Sequence, residues 1–96
     1  MKIDIQTTAN NGQMVLFVIN NNGATILTLN GNTKGSCLLV PGFKYRLEWH
    51  TWSPEAADYT ISATVTPNNS GFPPFNLTKS YQGPSSDMGG FFFTLN

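Results

Sequence analysis

Residues Ala57–Thr66 read ADYTISATVT, and their alternation decides the fold class. Tyr59, Ile61, Ala63 and Val65 fall on one side of an extended chain; Thr60, Ser62, Thr64 and Thr66 fall on the other. Successive side chains of a strand point to opposite faces, so strict alternation predicts a half-buried β-strand. Phe43–Trp52 repeats the pattern, with Phe43, Tyr45, Leu47 and Trp49 facing one way and Lys44, Arg46, Glu48, His50 and Trp52 the other. Helical spacing of apolar residues occurs nowhere in the chain.

Moving outward, Met14–Ile19 (MVLFVI) is apolar without a break, which predicts a central strand covered on both faces. Further strands are expected at Lys2–Thr7, Thr25–Leu29, Ser36–Val40, Leu77–Gln82 and Phe91–Leu95. Asn11-Gly12 and Asn22-Gly23 lie between the first strands, and Asn-Gly tolerates the positive φ of tight hairpin turns. Pro41-Gly42 interrupts the chain before Phe43, and Pro67–Pro74 forms a longer loop. The sum is an all-β chain: one domain over 1–96, folded as a small antiparallel β-sandwich of about seven to eight strands, with a small β-barrel as the alternative.

Composition narrows the function classes. The chain has 96 residues, five Lys+Arg against five Asp+Glu, and 10% charged residues. The 12% aromatic content and zero net charge exclude a disordered tail. No basic surplus exists to meet phosphate, so nucleic acid is not an expected partner. No apolar run approaches the roughly 18 residues a transmembrane segment requires. Met1–Thr7 shows no apolar secretory core and no cleavage site, so the expected locations are the cytoplasm, or outside the cell by a leaderless route or in mature form. Cys37 is the single cysteine; within the run Ser36–Val40 it is read as a core thiol, because a reactive thiol needs a polar, basic setting.

One short segment resembles a known family. Leu39-Val40-Pro41-Gly42-Phe43-Lys44-Tyr45 is similar to the Leu-x-Pro-Gly-x-x-Tyr turn of fibronectin type III domains. There the tyrosine hydroxyl ties down the chain upstream, so the resemblance implies a tyrosine corner at Tyr45. Strand spacing on either side departs from that family, and the chain is not assigned to it.

The strands at Phe43–Trp52 and Ala57–Thr66 are expected to form a hairpin, with Trp52 opposite Asp58, His50 opposite Thr60 and Glu48 opposite Ser62, because opposed residues must share a face. Its outer surface would gather Arg46, Glu48, His50, Trp52 and Asp58. Catalysis is not expected there: Ser62, His50 and Asp58 lie on a flat strand face with no oxyanion donors, and Glu48 and Asp58 read as a solvated face. No metal or cofactor is expected, since one His and one Cys make no ligand cluster and Asp87 beside Gly89-Gly90 reads as a turn residue. An aromatic platform ringed by placed polar groups suits a sugar. The expected function is therefore a non-catalytic, lectin-like carbohydrate-binding module, with Trp52, His50, Glu48, Arg46 and Asp58 as ligand-binding residues and a glycan or other small polar ligand as partner.

A rival comes from another class. Phe91-Phe92-Phe93 is apolar on both faces, so a sheet edge there invites a homo-oligomer, as in a structural subunit of a virion, fibre or secretion apparatus. Insertion of Phe72, Phe75 and Phe91–Phe93 into a bilayer is the third reading, without the basic face that usually accompanies it.

Overall fold

A computed structural model describes residues Met1–Asn96. It contains strands and turns only: β1 (Lys2–Asn10), β2 (Gln13–Ile19), β3 (Thr25–Asn30), β4 (Thr33–Leu38), β5 (Lys44–Ser53), β6 (Ala57–Thr66), β7 (Phe75–Tyr81) and β8 (Ser85–Thr94). They form two four-stranded antiparallel sheets, ordered β4-β1-β6-β7 and β3-β2-β5-β8, packed face to face as a β-sandwich. Each sheet keeps its own edges, so the barrel alternative does not form.

Alternation builds the core. Ile3, Ile5 and Thr7 of β1 and Tyr59, Ile61, Ala63 and Val65 of β6 point inward from the first sheet. Met14, Leu16 and Val18 of β2 and Tyr45 and Leu47 of β5 meet them from the second. An aromatic cluster fills the side between β7 and β8: Trp49 lies 5.7 Å from Phe75, and Phe72 lies 5.0 Å from Phe93. Phe72 is buried and Phe75, Phe91 and Phe93 pack against the core, so four of the five phenylalanines expected at a bilayer are internal. No helix is long and apolar enough to cross a membrane.

The expected β5–β6 hairpin does not form. β5 belongs to the second sheet and β6 to the first, and they face each other across the core. β6 pairs instead with β1, from Lys2 opposite Thr66 to Asn10 opposite Asp58, and β5 pairs with β2, from Gln13 opposite Trp52 to Ile19 opposite Arg46. The Ser53–Ala57 connection is an arch between sheets, held by the Tyr59 hydroxyl donating to the Trp52 carbonyl (3.1 Å) and by the Ser53 hydroxyl donating to the Glu55 carbonyl (2.7 Å). Asn11-Gly12 makes a second arch, from β1 to β2, rather than a hairpin turn. Asn11 takes φ 64°, and a Cβ on Gly12 would strike the Tyr59 ring, so the two arches nest. Asn22-Gly23 does lie in a hairpin, β2 to β3, where Asn20 Oδ1 accepts the Asn22 and Ala24 N–H groups.

The tyrosine corner is present. The Val40 N–H donates to the Tyr45 hydroxyl at 2.8 Å, and the Tyr45 ring stacks on Phe93 at 5.8 Å. Cys37 points inward and is half-buried, and burial pushes its thiol pKa up, as suits an inert thiol.

Candidate ligand-binding face

The two outer faces differ in kind. The first sheet is polar throughout its centre: Asp4, Gln6 and Thr8 of β1, Lys34 and Ser36 of β4, Thr60, Ser62 and Thr64 of β6, Asn76 and Thr78 of β7. Thr8 and Thr60 join hydroxyl to hydroxyl across it. It holds a depression of about 500 Å³ lined almost wholly by polar residues of β1, β4 and β6, with no aromatic ring.

The second sheet presents something else. Its outer rows run Gln13–Trp52–Ser86, Val15–His50–Met88, Phe17–Glu48–Gly90 and Ile19–Arg46–Phe92. Trp52, Met88 and Phe92 are 42%, 59% and 57% exposed. Val15, Phe17 and Ile19 are half-buried, shielded only by neighbours on the same face. β2 is therefore covered on one side and not on both, as its unbroken apolar run suggested. Two packed sheets consume the whole chain, and no third layer exists to lie over Phe17.

A line of ionic contacts crosses this apolar ground. Arg46 Nε donates to Glu48 Oε1 at 2.9 Å, and His50 Nε2 lies 3.2 Å from Glu48 Oε2. The His50 and then the Arg46 hydrogen bonds hold the Glu48 carboxyl below the usual carboxylate range, against the opposing effect of its partial burial. The His50 ring meets Phe17 edge-on at 6.2 Å, and Lys44 and Arg46 sit over Phe92 at 4.5 and 4.9 Å, within cation–π range. Both oxygens of Glu48 are engaged, so Glu48 holds Arg46 and His50 in place.

Trp52 closes one end of a shallow depression of about 400 Å³, lined also by Val15, Phe17, His50, Thr51, Ser86 and Asp87. Asp87 is no turn residue. It lies within β8 and accepts the Tyr81 hydroxyl at 2.6 Å and the Met88 N–H at 2.8 Å. Those two bonds lower the Asp87 pKa, and the same contact raises that of Tyr81.

The sequence-derived site is thus split. Arg46, Glu48, His50 and Trp52 share one row. Asp58 stands on the other sheet, between Asn10 and Ser80, on the opposite outer face of the sandwich. Ser62 lies there too, so Ser62, His50 and Asp58 form no catalytic set, and Glu48 and Asp58 do not face a common cleft. Ser86, Met88 and Phe17 complete the face in its place, while Asp87, opposite the buried Thr51, turns its carboxylate to Tyr81 of the other sheet. Comparison of the chain with protein-family models, curated proteins and solved structures gave no match.

Proposed function

We propose that the protein is a non-catalytic binding module whose ligand face is the outer surface of β3-β2-β5-β8, with carbohydrate as the ligand class. The supporting observation is Trp52: an indole 42% exposed at the rim of a depression that also holds the apolar Val15 and Phe17 and the polar His50 and Ser86. A pyranose C–H face stacks on the indole, while its hydroxyls exchange hydrogen bonds with the His50 imidazole and the Ser86 hydroxyl. Arg46 and Glu48 act at one remove, orienting His50. Glycan-array binding by the wild type, clearly weakened in Trp52→Ala without loss of fold, is the expected result. An array with no bound glycan, or an unchanged profile in the variant, overturns the reading.

The second reading is assembly through a sheet edge. It is favoured by one observation: β8, ten residues long, has β5 on one side and no strand on the other.

A further inference from the structure

The connection from β4 to β5 leaves apolar side chains in water. Leu38, Val40 and Phe43 are 78%, 51% and 47% exposed, three of the seven large apolar residues left uncovered, all within six residues of chain. Single exposed apolar residues are ordinary; a group of three on one turn marks a contact surface. These side chains have no way back into the fold. Val40–Phe43 is a tight turn, closed by the Phe43 N–H on the Val40 carbonyl (3.4 Å), with Pro41 second and Gly42 third at φ 88°. The Val40 N–H donates to the Tyr45 hydroxyl (2.8 Å), the Gly42 N–H to the Leu95 carbonyl (2.9 Å) and the Leu39 N–H to the Met1 carbonyl (2.7 Å). Leu39 and Leu95 are already buried in the core there. The tyrosine corner therefore holds an apolar tip rigidly outward.

Charge is distributed around that tip in a particular way. β1, β3, β5 and β7 begin at this pole of the sandwich, and β2, β4, β6 and β8 end at it. Its three connections, Asn20–Ala24, Leu39–Phe43 and Pro67–Pro74, contain no charged residue. The charges nearest to it are Lys2 on the outer face of the first sheet and Lys44 and Arg46 on the outer face of the second, so cations flank the tip on both sides. The one acid among them, Asp4, lies 3.5 Å from Lys2. The far pole carries Glu55, Asp58 and Asp87, with Lys79 as the cation near them. Zero net charge thus conceals two unlike ends. Strands of nine or ten residues put roughly 30 Å between them. The Debye length in physiological salt is about 8 Å, so a surface meeting the tip senses the lysines and not the distant carboxylates.

We infer that the β4–β5 corner docks the protein on an anionic lipid surface, with Leu38, Val40 and Phe43 entering the headgroup region and Lys2 and Lys44 meeting lipid phosphates and carboxylates. A bilayer interface accepts shallow apolar insertion, and its negative potential attracts cations beside the inserted group. The lysine stems reach towards the interface while their ammonium groups stay hydrated. A second copy is a poor occupant, because two tips brought together would also bring together the Lys2, Lys44 and Arg46 of both copies. The tip is rigid before it binds, so docking loses little conformational entropy. These residues are different from Phe72, Phe75, Phe91 and Phe93, which the core retains. Trp52 lies eight residues along β5 from Lys44, so a docked molecule holds its indole roughly 26 Å further from the lipid.

The test is flotation of the full chain with vesicles of phosphatidylcholine alone or with one-third phosphatidylserine. Binding to the anionic vesicles is expected, weakened about 10-fold or more in Leu38→Asn/Phe43→Ser and about 5-fold by each of Lys2→Gln and Lys44→Gln. On phosphatidylcholine alone the lysine variants should match the wild type. Thermal melts check that every variant is folded. In a Cys37→Ser background, a polarity-sensitive fluorophore on Phe43→Cys should shift to the blue on anionic vesicles, and one on Glu55→Cys should not. Vesicles without sugar leave the glycan reading aside, and Trp52→Ala should float as the wild type does. Absence of binding to anionic vesicles overturns the inference, as does binding that the tip variant keeps, that Trp52→Ala loses, or that shifts the Glu55→Cys label. A wild-type dimer in light scattering that Leu38→Asn/Phe43→Ser dissociates gives the tip to a second copy and also overturns it.

Discussion

Replacing Trp52 by alanine separates two quantities that the structure sets apart. The indole is 42% exposed, so somewhat more than half of its surface is packed against neighbours. Removing a fully buried tryptophan costs about 3–5 kcal/mol; scaled to the buried share, Trp52→Ala costs about 2–3 kcal/mol. For a domain of this size that lowers Tm by about 10–20 °C, at roughly 4–8 °C per kcal/mol. A stability in the ordinary range of about 5–15 kcal/mol leaves the variant folded at room temperature. The Tyr59 hydroxyl still finds the carbonyl of residue 52, a backbone group, so the β5–β6 arch persists. Binding suffers separately: one lost stacking ring is worth about 1–3 kcal/mol, a Kd about 5- to 150-fold weaker. Thermal melts and isothermal titration with the strongest glycan from an array read the two effects, and Trp52→Phe, which keeps a ring, recovers part of the affinity. A variant that is unfolded at 25 °C makes Trp52 a core residue. A folded variant with wild-type affinity removes the indole from the ligand site. Either result refutes the reasoning.

Two further predictions concern the frame. Tyr45→Phe keeps the stack on Phe93 but leaves the Val40 N–H without its partner; the expected loss is about 1 kcal/mol, read as a fall in the denaturant midpoint at unchanged slope. Glu48, whose folded pKa lies below its ordinary value of 4.5, contributes stability that is present above that value and lost as pH falls through the depressed one. Glu48→Gln should therefore be less stable than the wild type at pH 7, and the difference should shrink towards pH 2 in a series of thermal melts.

The inward and outward faces of β5 and β6 were legible because Tyr45, Leu47 and Trp49, and Tyr59, Ile61 and Val65, alternate with polar residues. What lies beside each strand was not. Two strands with matched apolar faces satisfy the same rule whether they lie side by side or look at each other across a core. Pairing was decided by β1 and β2, whose own arch at Asn11-Gly12 nests against Tyr59 and so sends β5 and β6 to different sheets. Asp58 left the site with that change. The apolar outer face went unread for another reason: Val15, Phe17 and Ile19 alternate with Met14, Leu16 and Val18, all apolar, so the sequence shows no period where one side meets solvent. The clue was available in the length, because a chain of 96 residues spent on two sheets has nothing left to cover β2 twice. The N-terminal half of β8 was hidden by Gly89 and Gly90, which have poor strand propensity. Here they are required: a Cβ on Gly89 would press on the Trp49 ring at 2.6 Å, and one on Gly90 on the Leu47 carbonyl at 2.5 Å.

The account places recognition on one of two outer faces, and amide and indole chemical shifts followed by NMR during titration with an array-selected oligosaccharide decide which. The result it predicts is perturbation confined to Val15, Phe17, His50, Trp52, Ser86 and Asp87, with the Trp52 indole moving and that of Trp49 still. Shifts centred instead on Gln6, Thr60, Ser62 and Thr64, across the sandwich, would contradict it.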